Sequence, residues 1–303
     1  MEGYDPLRSP LELPILVWSA TLRLERSIDL PEVAGASLAT SLRGALGEGL
    51  RAVACRSDRG CGRECAGAPG CTVPALWSPR SLAQRRTHPP PIALAVRKES
   101  GGRLAGRVAL WGRTALAERA TVRSALRAAG GRGLHVPERA PARFEVDLEL
   151  AYEGTLAGWA AARGIADAAR VRARFGGPGG EGSKRASFED LLANAAHDLV
   201  QWDLCDRGLD AELGKAGCDA HAEAARDLVR DSLRAVRVEG EFRRTTALRE
   251  STTNGHTFPH VELGGAVQLE GDLAPLAPWL ALAELRGIGP RVSFSTPPEL
   301  ALG

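Results

Sequence analysis

The spacing of apolar residues switches between strand-like and helix-like in the same order twice along the chain. This doubling constrains the fold more than any single motif. In "LPILVWSATLRL" (13–24), β-forming residues run between Pro14 and Pro31, the composition of a strand. "ASLATSLRGALGEGLRAVA" sets Leu38, Leu42, Leu46 and Leu50 four apart, the stripe of an amphipathic helix. "PPIALAVRKE" and "GRLAGRVALWGR" read as two strands joined by the Gly101-Gly102 turn. "TALAERATVRSALRAAGGRGL" carries Leu116, Val122 and Leu126 and stops at Gly130-Gly131, a second helix. "ARFEVDLELAY" alternates Phe144, Val146, Leu148 and Leu150 with charged residues, a half-buried strand.

The second half repeats the order. "ARVRARF" (169–175) is a short basic strand followed by "GGPGGEGSK", whose glycines make it a loop. "ASFEDLLANAAHDLVQWDL" opens with Ser187 as a cap and continues Phe188, Leu191, Leu192, Ala195, Leu199 and Trp202 on a helical stripe. "RAVRVEGEFRRTTAL" and "HVELGGAVQLEGD" read as strands, "LAPLAPWLALAELRG" as a short helix and "PRVSFSTPPELAL" as an end strand interrupted by prolines. Two β-α-β-β-α-β runs predict an α+β protein of two tandem ferredoxin-like, RRM-like domains. Their expected extents are 1–155, with a cysteine-bearing insert at 55–71, and 165–303. The junction falls near Ala151–Ala168, and the two sheets are expected to face a shared cleft.

Cys55, Cys61, Cys65 and Cys71 are spaced C-x5-C-x3-C-x5-C; Cys205 and Cys218 are the only others. No apolar run approaches the roughly 20 residues that span a bilayer, and "MEGYDPLRSPLELP" lacks the pattern of a signal peptide. A cytoplasmic location without membrane partners is therefore expected, and there a disulfide reading is disfavoured. Four thiolates suit tetrahedral zinc, and the intervening glycines let a short loop close round an ion. The spacing contains no C-x2-C pair, so structural zinc and metal-free thiols both stay open. No histidine lies nearby in sequence to activate a catalytic cysteine.

Net charge is only +2, so any anionic partner must be met by local clusters. Arg163, Arg170, Arg172, Arg174, Lys184 and Arg185 form one such cluster. A second, diluted by acids, runs from Arg226 to Arg249 and includes Arg243 and Arg244.

At the level of ordered segments the chain resembles the CRISPR-associated repeat-processing endoribonucleases of the RAMP superfamily. "LRGALGEGLRAVAC" resembles that family's first helix running into a cysteine-bearing insert, and "PPPIALAV…GRLAGRVALWG…ALRAAGGRGL" its middle block. "SFEDLLANAAHDL" is similar to the helix after the first strand of the second domain. "VELGGAVQLEGDLAPLAPWLALAELRGIG" resembles the family's glycine-bearing strand, helix and loop. The resemblance implies binding of a CRISPR repeat hairpin and metal-independent cleavage of the precursor RNA. It also implies CRISPR effector subunits, or a second copy of the chain, as further candidate partners. Arg43 and Arg51 become phosphate-contact candidates by position.

The chain departs from the family at the end of that last segment. Members commonly carry a histidine, then Gly-Lys and a glycine-rich loop. Here Gly287 stands where the histidine often is and Pro290 where the lysine would be. Gly289 is retained, and Gly289 and Arg291 join the RNA-binding candidates. This departure favours an alternative, a RAMP RNA-binding subunit without cleavage activity. A third reading is a zinc-clipped protein-interaction module with no RNA role.

Metal-free RNA cleavage needs a base for the ribose 2′-hydroxyl, a cation for the phosphorane and an acid for the leaving 5′-oxygen. His256 and His260, in the polar segment "RESTTNGHTFPHVEL", are the acid–base candidates. Arg244 is the candidate for the charge, and Arg249 an RNA contact beside it. His88 and His135 read as loop residues, His197 as a structural histidine on a helix, and His221 as part of a polar linker.

Overall fold

The structure is a computed structural model that describes residues 4–6, 8–25, 34–55, 71–77, 79–81, 83–84, 86–99, 103–134, 141–176, 184–185, 187–250, 257–288 and 298–303. It is a mixed α+β protein whose described strand pairings are antiparallel. The chain divides into two compact units. One comprises Leu13–Gly154 with Trp202–Cys218; the other comprises Met1–Glu12, Thr155–Gln201 and Asp219–Gly303.

In the first unit the order is β1 (Pro14–Leu24), α1 (Ala34–Ala54), α2 (Thr72–Trp77), β2 (Arg80–Ser81), β3 (Arg86–Thr87), β4 (Ile92–Lys98), β5 (Arg103–Trp111), α3 (Arg113–Ala117), α4 (Arg119–Arg132) and β6 (Phe144–Thr155). Strands β4-β5-β1-β6 form one sheet, and β2-β3 a two-stranded ribbon. One face of the sheet is apolar because alternate residues of each strand point the same way. Leu16, Trp18, Ala20 and Leu22 of β1 join Leu104, Val108 and Leu110 of β5 in the core. The helices complete it with the predicted stripe Leu38, Leu42, Leu46 and Leu50, and with Val122, Ala125, Leu126 and Ala129.

The second unit holds α5 (Leu156–Ala162), β7 (Arg170–Gly176), β8 (Lys184–Arg185), β9 (Arg237–Glu250), β10 (Thr257–Glu270), α8 (Ala277–Arg286) and β11 (Glu299–Leu302). Helices α6 (Phe188–Asp206) and α7 (Asp210–Arg234) contribute residues to both units. The sheet order is β11-β7-β10-β9-β8. Phe175 and Phe242 stack at 5.1 Å across Gly265, which lies between them in register, and Phe188 of α6 meets both edge-on. The Ser187 hydroxyl accepts from the Asp190 N–H at 3.1 Å, so the expected helix cap is present. Every residue of α8 is buried. Its Glu284 is held bidentately by Arg163 at 2.9 and 3.2 Å, the geometry that compensates a buried carboxylate.

Helix α7 is a difference from expectation. His221, read as part of a polar linker, lies on this helix with its ring edge-on to Tyr4 at 5.3 Å. Cys218, Ala222, Ala225, Val229 and Leu233 form the buried stripe. No described helix is long and apolar enough to cross a membrane.

The turn from α6 into α7 is fastened within the first unit. Asp206 accepts from the N–H groups of Arg113 and Thr114 at 2.7 and 3.2 Å, satisfying two donors at the start of α3. Asp210 accepts from the Ser81 hydroxyl. Trp202 fills the space over Gly112, whose φ is +86°. A Cβ on Gly112 would stand 1.9 Å from Cη2 of Trp202. Gly112→Ala is therefore expected to lower stability by about 3 kcal/mol, combining backbone strain with overpacking. Urea unfolding of the full chain measures it, and an unchanged midpoint would show that Trp202 can move aside.

Candidate nucleic-acid interface

Strand β7 alternates Val171, Ala173 and Phe175, all buried, with Arg170, Arg172 and Arg174, all exposed. The sheet's apolar side takes the first set, so its open side must take the second. Register extends this open face. Arg170 stands opposite Glu270, Arg172 opposite Gln268 and Arg174 opposite Ala266 on β10. Ala266 in turn faces Glu241 on β9, and Gly264 faces Arg243. Arg243 thus shares the open face with the β7 arginines, whereas its neighbour Arg244 points to the other side. Lys184 and Arg185 of β8 pair with Arg244 and Arg243 respectively.

Acids on this face engage part of the positive charge. Arg170 reaches Glu270 at 3.3 Å and Arg243 reaches Glu241 at 3.8 Å. Both pairs are solvent-exposed and cheap to open. Among the described residues Arg172 and Arg174 make no ion pair, although exposed Glu299 of β11 stands directly opposite Arg174. These two are the cations most ready to meet an anion.

The other candidates are dispersed. Arg51 of α1 pairs with Glu48, which also accepts from Arg132 at 3.4 Å. The Arg43 guanidinium lies 4.5 Å from the Trp77 ring centroid, a cation–π contact. Burial lowers its pKa to about 10, so it remains a cation at neutral pH, packed into the first unit. His260 lies on β10 opposite Ala247 of β9. His256, His135, Gly289, Pro290 and Arg291 fall outside the described residues, as do the side chains of His260, Arg249, Lys184 and Arg185. His88 is buried, and its backbone N–H donates to the Pro79 carbonyl at 2.8 Å. His197 sits between Asp198 and Glu223, each 3.7 Å away, in keeping with a structural histidine.

Cys55 follows α1 and Cys71 precedes α2, and both are half-buried against the core of the first unit. Cys61 and Cys65 lie outside the described residues. The thiol of Cys205 is pushed up to about 12, first by burial and then by Asp210 and Asp206, so it stays protonated at neutral pH.

Residues 13–151, just under half of the chain, match the family AF_1859_N, described as an N-terminal domain. No curated protein matches. The chain is similar to the solved structure of Thermus thermophilus Cas6, with a TM-score of 0.46 at 15% identity, over 95% of this chain and 99% of that one. It is also similar to Cas6 in a product complex, with a TM-score of 0.46 at 17% identity, over 94% of this chain and 97% of the other.

The family match begins one residue before β1 and ends inside β6, so it takes in the first sheet and none of β7. Gly287 closes α8 with φ 83° and ψ 175°, and its N–H donates to Ala283 at 2.8 Å. That conformation is open essentially to glycine alone. A histidine would force this helix end into another shape.

Proposed function

We propose that this chain is a CRISPR precursor-RNA processing endoribonuclease that grips a repeat hairpin through the open face of its second sheet. The observation that carries the reading is the row Arg170, Arg172 and Arg174, exposed on one face with Arg243 beyond it. On this reading the two β-α-β-β-α-β units are tandem ferredoxin-like domains, and the arginines meet phosphates while the hairpin is held. The acid–base work falls to His256 and His260, and the phosphorane charge to Arg244. The 2′-oxygen attacks phosphorus as a base takes its proton; the P–O5′ bond breaks and the leaving oxygen is protonated. The products are a 2′,3′-cyclic phosphate and a 5′-hydroxyl, and no metal takes part. A gel shift and a product gel with a cognate hairpin repeat in EDTA test binding and cutting separately.

A second reading, an RNA-binding subunit that does not cut, is favoured by the glycine-only backbone at Gly287. Tight binding of the repeat with no product would select it.

The reading includes a structural zinc held by Cys55, Cys61, Cys65 and Cys71. The donor set suits the ion, and the two outer cysteines bring both ends of the segment to the same core. Protein purified without added chelator is expected to carry about one zinc per chain, and Cys61→Ser with Cys65→Ser to lose it while keeping the fold. Metal content at background in the unaltered protein would overturn the assignment.

A further inference from the structure

The open face of the first sheet carries its own arginines. Directly opposed residues on antiparallel strands share a face. Arg23 on β1 stands opposite Arg103 on β5; Thr21, Ala105 and Arg97 make the next row, and Ser19, Arg107 and Ala95 the row after that. The intervening residues Leu22, Leu104 and Ala20 turn to the core. Arg23, Arg97 and Arg103 are exposed and Arg107 is half-buried. The four occupy a field of about 14 Å along the strands by about 10 Å across.

Like charges directly opposite each other weaken a strand pair. Arg23 is compensated by Asp147 at 2.7 Å. Among the described residues Arg97 and Arg103 make no ion pair, although exposed Glu99, whose N–H donates to the Arg103 carbonyl at 2.9 Å, stands across from Arg103. Strand β6, on the far side of β1, carries exposed Glu145, Asp147 and Glu149 on the same face by alternation. The face is therefore basic over β4 and β5, with one acid, Glu99, at the end beside Arg103, and acidic over β6. A polyanion settles over the first pair of strands and is turned away from the last. The basic rows offer serine, threonine and alanine beside the arginines and no aromatic ring, so they suit a phosphate backbone and not stacked bases.

We infer that the β4–β5 half of this face is a second RNA phosphate-binding surface, with the acidic β6 margin setting its limit. The inference rests on the RNA reading above and extends the RNA-binding surface beyond β7. In the full chain, R97A/R103A is expected to weaken binding of a hairpin repeat with a single-stranded flank by about tenfold or more. Its salt dependence should flatten by about 1.4, from roughly 0.7 for each single-strand phosphate no longer neutralised. E145Q/E149Q should strengthen binding, because it removes repulsion without touching a cation. R172A/R174A, measured in parallel, reports on the β7 face. If R97A/R103A keeps wild-type affinity and slope while R172A/R174A loses both, this surface is overturned and the RNA reading stands. If the unaltered chain binds no RNA, both fall.

Discussion

Replacing His256 or His260 with alanine is expected to slow cleavage of a hairpin repeat RNA by roughly a hundredfold or more, the scale of one missing acid–base group. Affinity for the uncut hairpin should change little, because such a group acts mainly in the transition state. The rate should persist in EDTA, since the attacking oxygen belongs to the RNA and the proton carriers to the chain. His260 lies on β10 opposite Ala247 of β9. Single-turnover rates on a cognate repeat, with the 5′-hydroxyl and cyclic phosphate ends checked chemically, measure the effect. If both single variants cut at the wild-type rate, the acid–base assignment is wrong. If the unaltered chain binds tightly and never cuts, the non-cleaving subunit is the correct reading.

The sequence made some of these features plain and concealed others for identifiable reasons. Alternation exposed β7 at once, because arginines at i, i+2 and i+4 with apolar residues between them can only be a half-buried basic strand. The basic field on the first sheet could not be seen that way. Arg23, Arg97, Arg103 and Arg107 come from three strands, and only their register brings them together. Neighbours in sequence misled in the opposite sense. Arg243 and Arg244 look like one basic pair, yet strand alternation sends them to opposite faces. Helix α7 escaped because its buried stripe is Cys218, Ala222, Ala225, Val229 and Leu233, whose first members are too small to stand out among charged residues. Gly214, at φ 62°, interrupts it further. A glycine at position 287 was visible in the sequence, but the positive-φ end it gives α8 needed the backbone.

Neutralising the β7 row as R170A/R172A/R174A is expected to weaken binding of hairpin and unrelated RNA alike, by on the order of a thousandfold. Each charged hydrogen bond to a phosphate contributes about 1.5 kcal/mol or more. The salt dependence should flatten by about 0.7 for each single-strand phosphate that the row no longer neutralises. The weakening should ignore sequence, because groups that bind phosphate position an RNA without reading it. Within the row, R172A and R174A should each cost more than R170A. The guanidinium of Arg170 already pairs with Glu270 and must leave it to meet a phosphate, whereas Arg172 and Arg174, the latter opposite Glu299, make no ion pair among the described residues. The sharpest comparison lies on β9. Arg243 shares the open face and Arg244 does not, so R243A should flatten the salt dependence more than R244A, whose proposed contact is the scissile phosphate alone and whose loss should mainly slow cleavage. Fluorescence anisotropy titrations across a salt series supply both numbers. Equal slopes for R243A and R244A would mean that RNA reaches around the sheet edge at β8, and the open face would lose its claim to be the principal RNA-binding surface.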